Sequence, residues 1–349
     1  MVKGNGAEMK NKISNRKSAP FPFHLFLFAF LLTGCPAKKE EEPEALPAAP
    51  VVSVVETVAP APPSLPEPPP EPERPTAFLR ASKAGPSARP GEPVLVALGG
   101  PVDQLASVSA ALGNTVAPVL PGPDGAWLGM APVNRDHAPG DATVKILFTY
   151  LNGSTTGAEL ALTVRPRQYP SSRLTVAPEM ARTPRDKLGQ VEEDRAAFAA
   201  VWAEPDPERT WSGRFILPTK GRVSSTFGER RVFNGDVKSR HSGIDIAAPE
   251  GAPVRASNAG RVRLVRAAYV EGLTLVIDHG GGVFTFYCHL SRARVKEGEV
   301  VEKGQRVGDV GMTGRATGPH LHWGARVSGE RVDGLALVGL EPAPPGARP

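Results

Sequence analysis

Cysteine is scarce in this sequence: Cys35 and Cys288 are the only two among 349 residues, so no disulfide framework is available. Aromatic residues are few, at 6%, whereas Pro (38) and Gly (37) are plentiful. That balance argues against a large helical bundle and for short strands, turns and linkers. Long apolar runs are missing. The stretch Phe21 to Leu32 falls short of the roughly 20 apolar residues that a bilayer span requires. No His-Glu-x-x-His is present, which removes a helical glutamate as a catalytic base. The run Gly280-Gly281-Gly282 is followed by neither a helix nor Gly-Lys-Ser/Thr, so it reads as a hairpin turn and not a phosphate loop.

The short apolar stretch is preceded by Lys10, Lys12, Arg16 and Lys17, the layout of an export signal. It ends in Leu32-Thr33-Gly34-Cys35, which resembles the lipobox of bacterial lipoproteins. The resemblance implies a signal over residues 1–35, lipidation of Cys35 and an anchor in a membrane. Each buried methylene of an acyl chain contributes about 0.8 kcal/mol to such an anchor. A cell-envelope location facing the periplasm follows, with the outer membrane the expected one. If Cys35 carries lipid, Cys288 has no partner.

The rest of the chain divides by composition. Residues 36–76 are rich in Pro, Ala and Glu and form a disordered tether; at about 3.1 Å per residue it reaches at most about 120 Å. Residues 77–167 alternate strand patterns with turn signals such as Asn152-Gly153, as in a small β-sandwich-like domain. His137 reads as an exposed loop residue. Residues 168–210 form a helical connector, with an amphipathic helix carrying Leu188, Val191, Phe198, Val201 and Trp202. Strands return over 211–340, and 341–349 is a disordered tail. The fold class is therefore mainly β, ending in an antiparallel sheet domain. Formal charge is +5 overall; residues 209–349 hold 21 Lys+Arg against 13 Asp+Glu. A basic C-terminal half suits an anionic polymer, and an exported chain does not meet nucleic acid.

The residues that carry chemistry lie in that half. In His320-Leu321-His322 a strand would point both imidazoles one way and Leu321 the other. In His241-x-x-x-Asp245 the even spacing puts an imidazole and a carboxylate on one face. Two imidazoles and a carboxylate make a three-ligand zinc site with an open position, and one histidine is left to move protons. That pattern belongs to a hydrolase. His279, before the glycine turn, reads as a turn residue. Cys288 precedes His289, and alternation sends it into the core as a small apolar residue if His289 lines the groove.

His241-x-x-x-Asp245, Tyr287-Cys288-His289-Leu290-Ser291 and Gly314-x-x-x-Gly318-Pro319-His320-Leu321-His322 together resemble the lysostaphin/LytM-type zinc metallopeptidases of family M23. The flanking segments Ser225–Arg230 and Pro249–Val254 extend the resemblance, which covers residues 211–338. It implies one zinc ion held by His241, Asp245 and His322. It makes His320 the general base and His289 an oxyanion stabiliser through its N–H. The implied activity is endopeptidase cleavage of the peptide part of bacterial peptidoglycan. The lipoprotein-like signal and the lack of a wall-binding repeat suggest a two-membraned bacterium, for which a D-amino-acid cross-link is a more fitting substrate than a glycine bridge. Some such proteins have lost ligands and instead activate cell-wall amidases; the alternatives for this chain are a non-catalytic lipoprotein of that kind, or one that anchors to the wall with a structural zinc. Here all five positions are intact.

Overall fold

Along Gly140–Tyr150, Val144, Ile146, Phe148 and Tyr150 are buried while Lys145 and Leu147 are exposed, the period of two that a half-buried strand demands. A computed structural model describes residues 74–80 and 86–342. The proposed signal, Cys35, nearly all of the tether and residues 343–349 of the tail lie outside the described residues. Among those described, no helix is long and apolar enough to cross a membrane.

The N-terminal sheet has eight strands: β1 (Thr76–Arg80), β2 (Ser87–Ala88), β3 (Pro93–Gly99), β4 (Leu105–Leu112), β5 (Thr115–Pro121), β6 (Trp127–Pro132), β7 (Gly140–Tyr150) and β8 (Thr155–Val164). Their order is β1-β3-β6-β5-β4-β7-β8-β2. β1 comes back against β8, so one curled sheet, not two facing ones, encloses the core of Val96, Val108, Val119, Ile146 and Phe148. His137 sits half-exposed in the loop before β7.

The connector contains β9 (Ser171–Leu174), α1 (Pro178–Ala181) and α2 (Leu188–Ala203). Val191, Asp194, Phe198, Val201 and Trp202 recur at helical spacing along α2. Phe198, Val201 and Trp202 pack on Leu264, Val276, Phe284, Phe286 and Cys288 of the C-terminal sheet. Asp194, also buried, accepts hydrogen bonds from Arg266 Nε at 2.6 Å and Tyr269 N at 2.8 Å.

Next come β10 (Arg222–Ser225), β11 (Arg230–Phe233), β12 (Val237–Arg240), β13 (Ile244–Ala247), β14 (Pro253–Arg255), β15 (Gly260–Ala268) and β16 (Gly272–Asp278). β17 (Val283–Ala293), β18 (Val300–Val301), β19 (Arg306–Val310), β20 (His320–Val327), β21 (Glu330–Val332) and α3 (Gly334–Val338) complete the chain. The main sheet runs β10-β13-β20-β17-β16-β15-β18. One face buries Ile244, Ile246, Leu275, Ile277, Tyr287, Leu321 and Trp323. The opposite face is covered by α2 at one end and left as a groove at the other. Leu95, Leu128 and Met130 of the first sheet pack with Trp211, Val327 and Leu337, joining the two sheets through a shared apolar cluster.

Candidate metal centre

Three neighbouring strands bring the chemistry together. β13 and β17 flank β20, and the register sets Asp245 and Cys288 opposite His322 from either side. Directly opposed residues share a face. His320, two residues before His322, shares it too, while Leu321 points into the core, 0% exposed. His241 follows β12 and is buried. Gly324 lies on the groove face, and a Cβ there would meet the Phe286 ring at 2.0 Å. Its absence lets that ring back His322, with centroids 5.9 Å apart.

The hydrogen bonds fix which nitrogen faces inward. The Thr226 carbonyl can only accept, so His241 donates to it through Nδ1 at 2.9 Å. Nε2 of the neutral ring then carries a lone pair. It lies 2.9 Å from Asp245 Oδ1 and 3.0 Å from His322 Nδ1. Asp245 Oδ1 and His322 Nδ1 are 2.8 Å apart. His322 Nε2 is 3.2 Å from Ser242 Oγ, so its Nδ1 faces the cluster. Burial, opposed by Asp245, holds the His322 pKa down at about 4, which keeps the ring neutral at physiological pH. Three ligand atoms lie within 4.8 Å of one another and can turn lone pairs to a common point. The donor set, two imidazoles and a carboxylate, fits a metal ion.

Arg231 was not singled out by sequence. Its Nη2 donates to Asp245 Oδ2 at 2.8 Å, leaving Oδ1 for the cluster, while its Nε donates to Glu229 Oε2 at 3.2 Å. No spacing rule links Arg231 to Asp245, because a separate hairpin delivers it.

Two further imidazoles stand beside the cluster. His320 donates through Nδ1 to the Gly318 carbonyl at 2.8 Å, leaving Nε2 3.8 Å from Asp245 Oδ1. His289 donates through Nδ1 to the Thr313 carbonyl at 2.8 Å, and its ring centroid is 4.8 Å from that of His320. Burial, reinforced by His322 and His320, holds the His289 pKa down at about 4. The ring is therefore neutral. The oxyanion role expected of His289 would fall to Nε2, the nitrogen left facing the groove once Nδ1 is held by Thr313.

Two other residues sit as expected but in settings that the sequence did not reveal. His289 has φ 61°, and β17 bulges so that Leu290 opposes Leu273 while Tyr287 opposes Leu275. The bulge swings His289 onto the face that Cys288 already occupies, so simple alternation fails here. Cys288 is on the site's own face, roofed by α2 and 1% exposed; burial pushes its thiol above the ordinary range. It remains apolar filling, for a different reason. His279 stands in the β16–β17 turn, as expected, and is 0% exposed there. It donates to the Ala259 carbonyl at 2.7 Å and accepts from Thr285 Oγ1 at 2.8 Å, inside a buried network with Tyr287.

All five residues, with Arg231 and parts of the connector, line one cavity of about 800 Å³. A site of this size, with convergent polar groups, suits a ligand or a short peptide.

Comparison with known proteins agrees with this geometry. Residues 239–334 match the family model described as Peptidase family M23. The chain is 42% identical over 123 residues to the peptidoglycan DD-endopeptidase ShyA of Vibrio cholerae, covering 35% of this chain and 29% of that protein. It is 43% identical over 117 residues to the DD-carboxypeptidase/endopeptidase Mpg of Neisseria meningitidis, covering 34% and 27%. The chain thus spans less than a third of the length of these curated relatives. A solved structure described as a peptidase M23 from Pseudomonas aeruginosa superposes with a TM-score of 0.55 at 25% identity, covering 74% of this chain and 96% of that one. The similarity to peptidase family M23 centres on residues 239–334, and the mainly β architecture extends beyond them.

Proposed function

We propose that this chain is a zinc-dependent endopeptidase that cleaves peptide stem or cross-link bonds of peptidoglycan. The observation that carries the proposal is the convergence of His241 Nε2, Asp245 Oδ1 and His322 Nδ1 beside two further imidazoles, in a groove. The similarity of the same segment to peptidoglycan DD-endopeptidases supports the substrate class.

His241, Asp245 and His322 would hold the ion, with Arg231 holding the outer oxygen of Asp245. Bound zinc supplies a Lewis acid and lowers the pKa of a water to about 7. His320, with Nδ1 held by the Gly318 carbonyl, presents Nε2 and would take a proton from water and return it to the leaving amine. His289 Nε2, a second acceptor on the same side, orients the water. Both rings are locked by backbone carbonyls, so they need no reorganisation during the reaction. Location in the envelope, through a lipid at Cys35, belongs to the same proposal. So does the division into signal, tether, N-terminal sheet, connector and peptidase domain.

The test is incubation of the full chain with purified peptidoglycan and mass spectrometry of the released fragments. Cross-linked muropeptides should lose a cross-link peptide bond, and a chelator should stop the loss. Fragments cut only in the glycan, or none at all, would overturn the proposal.

A further inference from the structure

The connector does more than join two sheets. β9 pairs in parallel with β11, and the Asn234 side chain both accepts from Val176 N at 2.9 Å and donates to Val176 O at 3.0 Å. Asn234 N also donates to Leu174 O at 2.9 Å. These contacts tie residues 171–176 to the β11–β12 hairpin, which leads into His241. Arg315 then donates to the Met180 carbonyl, and Arg182 pairs with Asp236 back on the hairpin. Arg315 belongs to the loop leading into His320, and that loop is fixed to the β15–β16 turn through Arg315 N on Val270 O and Leu273 N on Thr313 Oγ1, both 2.9 Å. In the strand order, β13 and β16 lie on opposite sides of β20. Residues 174–182 therefore run from one wall of the groove to the other, and Val176, Met180 and Ala181 line the same cavity as the histidines.

This segment is weakly held. From 170 to 187 only Ala181 is buried. The Arg182–Asp236 pair is exposed on both sides, and such pairs contribute little. Its two ends are firm: Tyr169 donates to the Pro90 carbonyl at 2.7 Å and packs on Phe227, and α2 is seated on the sheet. Few buried contacts between fixed anchors mark a segment that opens locally.

We propose that residues 174–182 are a crossbar that selects substrate by size. Closed, it bounds a cavity of about 800 Å³ that admits a short peptide; opened, it lets a cross-linked polymer lie across the groove. The proposal rests on the peptidase reading and adds what that reading lacks, a device that separates free peptides from the intact network.

The test uses the full chain carrying Arg173→Cys and Val232→Cys, register partners that line no part of the cavity. Oxidised, this pair pins the N-terminal end of the crossbar to the hairpin; reduced, it leaves that end held only by strand pairing. Oxidation should slow hydrolysis of insoluble peptidoglycan by roughly tenfold or more, as expected when the competent state becomes rare. It should leave cleavage of a short soluble cross-linked peptide within about twofold, and a reductant should restore the first rate. Asn234→Ala with Arg182→Ala should act the opposite way, speeding the polymer only. Equal polymer rates in both redox forms, or equal loss on both substrates, would overturn the proposal. Hydrogen exchange needs no activity: amides of 174–182 should exchange about a hundredfold or more faster than those of β17. Exchange as slow as β17 rules out the crossbar alone, while fast exchange with no hydrolysis of either substrate removes the peptidase reading and the size selection with it.

Discussion

Cys288 and His322 are register partners on adjacent strands, so the thiol lies on the same sheet face as the imidazole that helps form the metal cluster. It is nevertheless shielded: it is 1% exposed, in one apolar cluster with Phe286 against which Phe198 and Trp202 of α2 pack. A buried thiol whose pKa is raised offers almost no thiolate.

A thiol-alkylating reagent should therefore leave Cys288 unmodified in the native protein and modify it after unfolding, as read by mass spectrometry. Cys288→Ala should cost about 1 kcal/mol of stability and leave hydrolysis within about twofold. Loss of activity in step with native-state alkylation would contradict this.

Arg231 orients the carboxylate through its outer oxygen. Arg231→Ala should weaken metal binding about 10–100-fold, the usual effect of removing a partner of a ligand. A competition titration against a chelator of known affinity measures it. Unchanged affinity would show that the guanidinium is only a neighbour.

Much of this centre was legible in the sequence because strands have period two. His320 and His322 share a face for that reason, and Leu321 enters the core. Asp245 reaches that face through the β13–β20 register, and His241 from the link between β12 and β13, not from one strand with Asp245. His289 escaped the rule because one residue at φ 61° resets the alternation, and nothing in Cys288-His289-Leu290 announces a bulge. The carbonyls of Thr226, Thr313 and Gly318 that set the tautomers are backbone atoms, which any residue supplies. The crossbar depends on parallel pairing between Ser171–Leu174 and Arg230–Phe233, two short segments far apart in the chain. The curling of the N-terminal sheet follows from the meeting of β1 and β8, which strand patterns leave open.

His279 links stability to pH. Burial holds its folded pKa at about 4, against an unfolded value near 6.5. Above pH 6.5 both states are neutral and the group contributes no pH dependence. As pH falls from 6.5 to 4 only the unfolded chain gains the proton, so stability falls by about 3 kcal/mol. Thermal melts across this range should show the decline, and His279→Gln should flatten part of it. A slope unchanged by the substitution would assign the decline to other groups.

Cys35, in the lipobox-like Leu32-Thr33-Gly34-Cys35, should carry lipid in the mature protein. Cys35→Ser should yield an uncleaved or soluble form, detected by membrane fractionation and intact mass. Membrane attachment that survives the substitution with no added lipid mass would refute the anchor.

The most direct test of the central claim is metal content measured beside hydrolysis rate in His322→Ala and His320→Ala. His322→Ala should lose both metal and activity, since only His241 and Asp245 of the three-residue cluster then remain to hold the ion. His320→Ala should keep the metal and lose about 10²–10⁴-fold in rate, as removal of a general base does. Retention of metal by His322→Ala together with its loss from His320→Ala would contradict the account.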